Sequence, residues 1–287
     1  MNNNQGMEEL IKLLKTVSHY SRGKISKYEE VLRSWDKSYS IHLLTSHDDQ
    51  LLQQTCEFLS GNFEEEMDDP ERIMDEWIFD SKIAYHALSD GDGKVIGAVN
   101  SSYMPLENAE SMLAVWYVAV SPDHRGKRLA KELYQSMYQF ALDRANEENS
   151  TLKAIVGEAS HHDFKTIEQL LRRDEIARKR VYYQSAAEVK EVPYLSPPLQ
   201  WDAETGAPLE EAQANHLMIK LTNGREQMPA PELLQMINAI YSDSYFPRSD
   251  DFRNKEAYVK AFAQVENYLK TIETALAGAV NGEVFLR

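Results

Sequence analysis

The chain has 287 residues, 43% of them apolar and 27% charged, with 46 acidic against 31 basic side chains and a formal charge of −15. Such figures describe an ordinary folded protein with room for a substantial core, and they argue against the basic face that general nucleic-acid binding requires. No apolar run approaches the ~20 residues that cross a bilayer, and one cysteine, Cys56, cannot build a disulfide framework or a cysteine zinc site.

The start "MNNNQGMEEL" has no apolar leader, so a cytoplasmic location is expected. Residues 1–39 read as a polar tail followed by helix, with Leu10, Ile11, Leu13, Leu14 and Val17 near one face. "SIHLLTSHD" (40–48) predicts a first strand, and Asp48 or Asp49 caps a helix over "DQLLQQTCEFLSGNF", where Cys56 reads as inert core packing. "DDPERIMDEWIFDS" (68–81) has proline at a helix start. "AYHALSD" and "KVIGAVNSSYM" flank a Gly-Asp-Gly turn and predict a hairpin, and "SMLAVWYVAVS" (111–121) is the next strand.

A helix then runs from Gly126 to about Ala145, with Leu129, Leu133, Met137, Phe140 and Ala141 at helical spacing. "LKAIVGEAS" (152–160) is a buried-type strand, and 164–184 a charged amphipathic helix. "VKEVPYLSPPL" carries three prolines and predicts an irregular or edge strand. A loop over 201–215 leads to a last strand, "HLMIKL", and from Pro229 onward the pattern is helical. The order implies a mixed α/β fold: a helical extension over 1–39, one domain over 40–225, and a second helical extension over 226–287 packed on the domain.

The junction "AVWYVAVSPDHRGKRLAKEL" gathers Arg125, Lys127 and Arg128 around Gly126 where a strand hands over to a helix. A helix N-terminus has open N–H groups and the positive end of the dipole, and small residues such as Gly126 and Ala130 let a phosphate approach them. The predicted ligand is a diphosphate beside the strand end; a solvated basic turn fits the spacing as well. "HHD" (161–163) and His47-Asp48-Asp49 read as polar loops, because adjacent histidines do not readily chelate one ion, so no metal is expected. Trp77, Trp116 and Trp201 read as core or pocket lining.

This junction resembles the acetyl-CoA-binding motif of the GCN5-related N-acetyltransferase (GNAT) superfamily: a strand V-x-V-x-P, then (R/Q)-x-x-G-x-(G/A) opening a helix. Val118-Ala119-Val120-Ser121-Pro122 match the strand, Arg125 the first basic position and Ala130 the last small one. Arg128 stands at the middle glycine, a departure that either adds a phosphate contact or weakens coenzyme binding. The resemblance implies a mostly antiparallel sheet with a splayed strand pair and helices on both faces. It implies acetyl-CoA as co-substrate, held by Val118, Ala119, Val120, Arg125, Gly126, Lys127, Arg128, Leu129 and Ala130. A primary amine on a small molecule or peptide would attack the thioester directly. "ARKRVYYQSAAEV" resembles the superfamily's helix end R-x-x-F-Y, which implies Tyr183 as proton donor to the leaving thiolate and Tyr182 as packing.

Glu158, at the exit of an apolar strand, is a candidate base for the amine proton, and Tyr194 a candidate for lining the acceptor pocket. The alternatives are a GNAT-shaped module that binds coenzyme A without catalysis and an acyltransferase using a longer thioester. Tyr241, Tyr245, Phe246, Tyr258, Phe262, Val265 and Tyr268 give the C-terminal helices enough apolar surface to cover the domain, or to pair with a second copy as a homodimer.

Overall fold

A computed structural model describes residues 39–44, 49–63, 83–160, 178–246 and 249–287. The helices expected before residue 39 and over 68–81, the His161-His162-Asp163 stretch, His47-Asp48 and Trp77 lie outside the described residues. The fold is mixed α/β, and its strands pair mostly antiparallel. Contacts divide it into two compact units: residues up to Asn100 with Tyr117–Tyr138, and Ser101–Trp116 with Gln139–Arg287.

In the first unit β1 (Tyr39–Leu44) pairs antiparallel with β2 (Ile83–Asp90), from Tyr39 opposite Asp90 to Leu44 opposite Tyr85. Helix α1 (Asp49–Ser60) buries Leu52, Cys56 and Leu59, spaced four and three apart, against Leu44, Tyr85, Ala87, Val95 and Ala98. The turn between β2 and β3 (Val95–Pro105) is fixed by Asp90, whose Oδ1 accepts the N–H groups of Asp92 and Lys94, each at 3.0 Å. β4 (Glu110–Val120) and α2 (Leu129–Glu147) follow, each running from one unit into the other, and α2 buries Leu129, Leu133, Met137, Ala141 and Ala145 at four-residue steps. Gly97 permits the close packing here, since a Cβ on it would meet Ala119 O at 3.2 Å and Leu133 Cδ1 at 3.3 Å.

The second unit has the strand order β4, β5, β9, β6, β11, β10. Here β5 is Thr151–Ser160, β6 Lys179–Gln184, β9 Gln213–Leu221, β10 Gln227–Pro229 and β11 Glu283–Leu286. Short strands β7 (Val189–Glu191) and β8 (Leu195–Ser196) pair with β6 and β9. Helices α3 (Ala230–Ile240) and α4 (Lys255–Ala277) close its core, burying Leu233, Met236, Ile237 and Ile240 together with Val265, Leu269, Ile272 and Leu276. Asn254 caps α4 by accepting the Ala257 N–H at 2.8 Å.

Three expectations are corrected. Residues 179–184, read as the end of a charged helix, form strand β6: Val181 and Tyr183 are buried while Arg180, Tyr182 and Gln184 are half-buried, a two-residue period inside a charged stretch. The wholly helical reading from Pro229 onward missed β11, and β10 was not foreseen; both strands are only three or four residues long. Helix α2 begins at Leu129 and not at Gly126, because Gly126 and Arg128 adopt left-handed backbone conformations that a helix cannot contain.

Candidate functional site

The strand-to-helix junction is built by its backbone. Ser121 N–H donates to Ile96 O (2.8 Å), and one 3₁₀ turn over Pro122–His124 follows, with Arg125 N–H bonded to Pro122 O at 3.2 Å. Gly126 has φ +81° and Arg128 φ +64°; the Arg128 carbonyl then accepts from Lys131 (3.0 Å) and Glu132 (3.3 Å) to start α2. Between these bonds, the main-chain N–H groups of Gly126, Lys127, Leu129 and Ala130 have no partner among the described residues. Leu129 is buried and anchors the turn, while Arg125 to Arg128 and Ala130 are exposed. Such a row of open donors at the positive end of a helix suits an anion.

Arg128 takes up the left-handed conformation that glycine supplies most cheaply. Arg125 Nε donates to Val120 O at 3.2 Å, tying its stem to the strand end. Lys127 Nζ donates to the Tyr39 hydroxyl (2.8 Å) and lies 5.5 Å from that ring's centroid. Val118, Ala119 and Val120, on the last part of β4, are half-buried.

In the second unit, the parallel pairing of β4 with β5 runs from Glu110 opposite Thr151 to Val115 opposite Gly157, whereas β5 continues to Ser160 with β9. The Arg178 guanidinium lies over Gly157: a Cβ there would fall 1.7 Å from Arg178 Nη1 and 3.0 Å from Val115 O. Glu158 is the next residue. Its Oε1 accepts the Tyr194 hydroxyl at 2.5 Å, and its Oε2 accepts the hydroxyls of Ser196 and, at 2.7 Å, Tyr245. Asn215 Nδ2 donates to Ser196 Oγ at 2.8 Å, and the Tyr241 hydroxyl donates to Leu195 O. The Tyr194, Tyr241 and Tyr245 rings meet edge to face, with centroids 6.0 and 5.6 Å apart. Burial first, and the Glu158 charge second, push the Tyr194 and Tyr241 hydroxyls well above the usual phenol range, so both remain donors at neutral pH.

Of the two residues expected to move protons, the structure joins Glu158 to Tyr194 but leaves Tyr183 apart from both in bonding. Tyr183 sits on β6 between Val284 and Lys190, is 7% exposed, and belongs to the apolar core. Its hydroxyl makes no hydrogen bond among the described residues. Tyr182 stacks on Phe285 at 6.2 Å, with Arg180 5.6 Å and Arg287 5.9 Å from its ring. Ser196, Asn215 and Tyr245 were not foreseen as companions of Glu158. The signal available for Tyr245 was its four-residue spacing from Tyr241 in "AIYSDSYF", which equally fits a covering helix. Among the described residues no three His, Cys, Asp or Glu side chains gather as a metal site, and no helix is long and apolar enough to cross a membrane.

Residues 49–164 match the sequence model of the Acetyltransferase (GNAT) family. No curated protein sequence matches the chain. Among solved structures, the chain is similar to an aminoglycoside acetyltransferase from an uncultured soil metagenomic sample, at 14% identity and TM-score 0.41, covering 50% of this chain and 91% of that one. It is similar to a spermidine N-acetyltransferase from Vibrio cholerae at 15% identity and TM-score 0.40, covering 66% and 96%. A third is Arabidopsis thaliana Naa50 in complex with the bisubstrate analogue CoA-Ac-MVNAL, at 11% identity and TM-score 0.39, covering 63% and 97%.

Proposed function

We propose that the protein, whose residues 49–164 match the sequence model of the Acetyltransferase (GNAT) family, transfers an acetyl group from acetyl-CoA to a primary amine on a small molecule or peptide. The observation that carries the coenzyme half of this reading is the row of open N–H groups at Gly126, Lys127, Leu129 and Ala130, shaped by the left-handed Gly126 and Arg128. These residues fit a diphosphate: the donors are main-chain, exposed and flanked by Arg125, Lys127 and Arg128. Val118 to Val120 are proposed to lie along the pantetheine.

Bound acetyl-CoA would supply an activated thioester, and the chain's own residues would do the positioning, which in well-oriented reactions contributes about 7–11 kcal/mol at best. Glu158 is proposed to receive the proton that the attacking amine sheds. Tyr183 is proposed as donor to the departing thiolate, a role that rests on the motif resemblance alone.

The test is calorimetric titration with acetyl-CoA, paired with thiol release across a panel of primary amines. Wild-type protein should bind and turn over, and Arg125→Glu should weaken coenzyme binding about tenfold through charge reversal near the diphosphate. Tyr183→Phe should lower turnover at unchanged coenzyme affinity; unaltered turnover removes Tyr183 from the mechanism. No binding of acetyl-CoA by the wild type would defeat the whole reading.

A further inference from the structure

Helix α3 does not end in a normal cap. Its last residues open into a π turn over Tyr241–Tyr245, closed by a bond of 2.8 Å from Phe246 N–H to Tyr241 O, five residues back. Widened turns of this kind are rare and recur at functional sites. Here the turn places two tyrosines four residues apart so that both hydroxyls reach the same patch of sheet. Tyr241 bonds Leu195 O, between the two β8-side residues that donate to Glu158, and Tyr245 bonds Glu158 itself. Both tyrosines lie well beyond the segment matched by the GNAT family.

The bonds around Glu158 can be counted. An ionised carboxylate offers about four acceptor positions, two on each oxygen. Ser196 and Tyr245 fill both positions on Oε2, and Tyr194 fills one on Oε1. Among the described residues one position remains, on Oε1, and Glu158 is only half-buried. The hydroxyls that surround the carboxylate are all spent as donors to it, so what this patch still seeks is a donor with positive charge. The Tyr194, Tyr241 and Tyr245 rings are themselves buried in the core, so they hold the hydroxyls in place around the half-buried carboxylate.

We infer that Tyr245 is a positioning residue of an amine-acceptor site: its hydroxyl, with that of Ser196, holds Glu158 so that the remaining position on Oε1 receives an N–H of an aliphatic ammonium. This rests on the acetyltransferase reading for its chemistry but not for its binding step. The C-terminal segment is then a working part of acceptor recognition.

The probe is 1,4-diaminobutane, with Tyr245→Phe, which deletes the hydroxyl and keeps the ring, set against Tyr258→Phe on α4 as control. Amine binding is followed by calorimetry, and turnover by thiol release from acetyl-CoA. Tyr245→Phe should raise KM for the amine about tenfold, because a carboxylate no longer held must be ordered when the amine binds. It should leave acetyl-CoA affinity intact and weaken direct amine binding in parallel, whether or not turnover also falls through the role of Glu158 as base. Ser196→Ala, which removes the other donor on the same oxygen, should give the same pattern, and it decides the matter if Tyr245→Phe does not fold. Equal effects from Tyr245→Phe and Tyr258→Phe, or a fall in kcat at constant KM, overturn the inference. Wild-type protein that binds the diamine but releases no thiol defeats the acetyltransferase reading; the role of Tyr245 is then decided by direct amine binding to wild type and variant. Wild-type protein that does not bind the diamine overturns the inference.

Discussion

Arg128 has a φ of +64°, in a region where a side chain crowds the following carbonyl and costs about 1–2 kcal/mol. Replacing it by glycine removes that crowding, while the freer unfolded chain offsets about half the gain. Arg128→Gly is therefore expected to relieve the backbone by about 0.5–1 kcal/mol, read as a higher urea midpoint where that relief exceeds what the side chain's own contacts contribute, while lowering acetyl-CoA affinity if the guanidinium meets the diphosphate. A less stable glycine variant would mean that the Arg128 side chain holds the turn together. Glu158 was legible in the sequence because a carboxylate at the exit of an apolar strand is conspicuous. Its hydroxyl partners were not, since Ser196, Tyr194 and Tyr245 lie 36 to 87 residues away and are ordinary residues until the fold assembles them.

At the scale of elements, β2 and α2 meet in the first unit through His86, whose Nδ1 lies 2.9 Å from Ser136 Oγ. Burial pushes this imidazole down to about 3, from an ordinary value of 6.5. Above pH 6.5 the ring is neutral in folded and unfolded chains alike. Between pH 6.5 and about 3 the unfolded chain takes up a proton that the folded one refuses, so stability falls as the pH drops through that window. The slope attributable to this one group approaches ~1.4 kcal/mol per pH unit. Urea midpoints measured at pH 7, 6 and 5 should decline for the wild type and decline less steeply for His86→Asn; parallel curves would show that other groups dominate acid unfolding. Element types were legible wherever one period ran uninterrupted, as in α1, β2 through β5 and α4. β6 was misread because "KRVYYQ" follows a charged stretch with helical spacing, and its two-residue alternation spans only six positions. β10 and β11 are too short to carry any periodic signal and gain their identity from pairing with each other and with β6.

For the molecule as a whole, 46 acidic against 31 basic side chains leave a formal charge of −15, so self-repulsion opposes folding. Exposed pairs such as Arg144 with Glu147 and Glu148 contribute little against it, about 0–1 kcal/mol each. Raising ionic strength from about 0.01 to 0.1 M shortens the screening length from about 30 to 10 Å and weakens the long-range repulsion more than the close pairs. The thermal midpoint should therefore rise with added sodium chloride, and a fall would show that specific ion pairs outweigh net charge. The mixed α/β class and the match of residues 49–164 to the GNAT family model could be anticipated from one junction motif and the element order. The contribution of residues 226–287 could not, because aromatic helices that cover a core and aromatic helices that reach a carboxylate share the same pattern.

Strand β11 pairs with β6 on one edge and β10 on the other, and Arg287 exchanges two main-chain bonds with Arg180, each at 3.1 Å. During synthesis the second unit must therefore wait with a gap in its sheet until residues 283–287 leave the ribosome, which exposes unpaired strand edges to neighbouring nascent chains. Ribosome-bound intermediates stalled short of Glu283 should accordingly be protease-sensitive and recruit chaperones, whereas those carrying Arg287 clear of the exit tunnel should not.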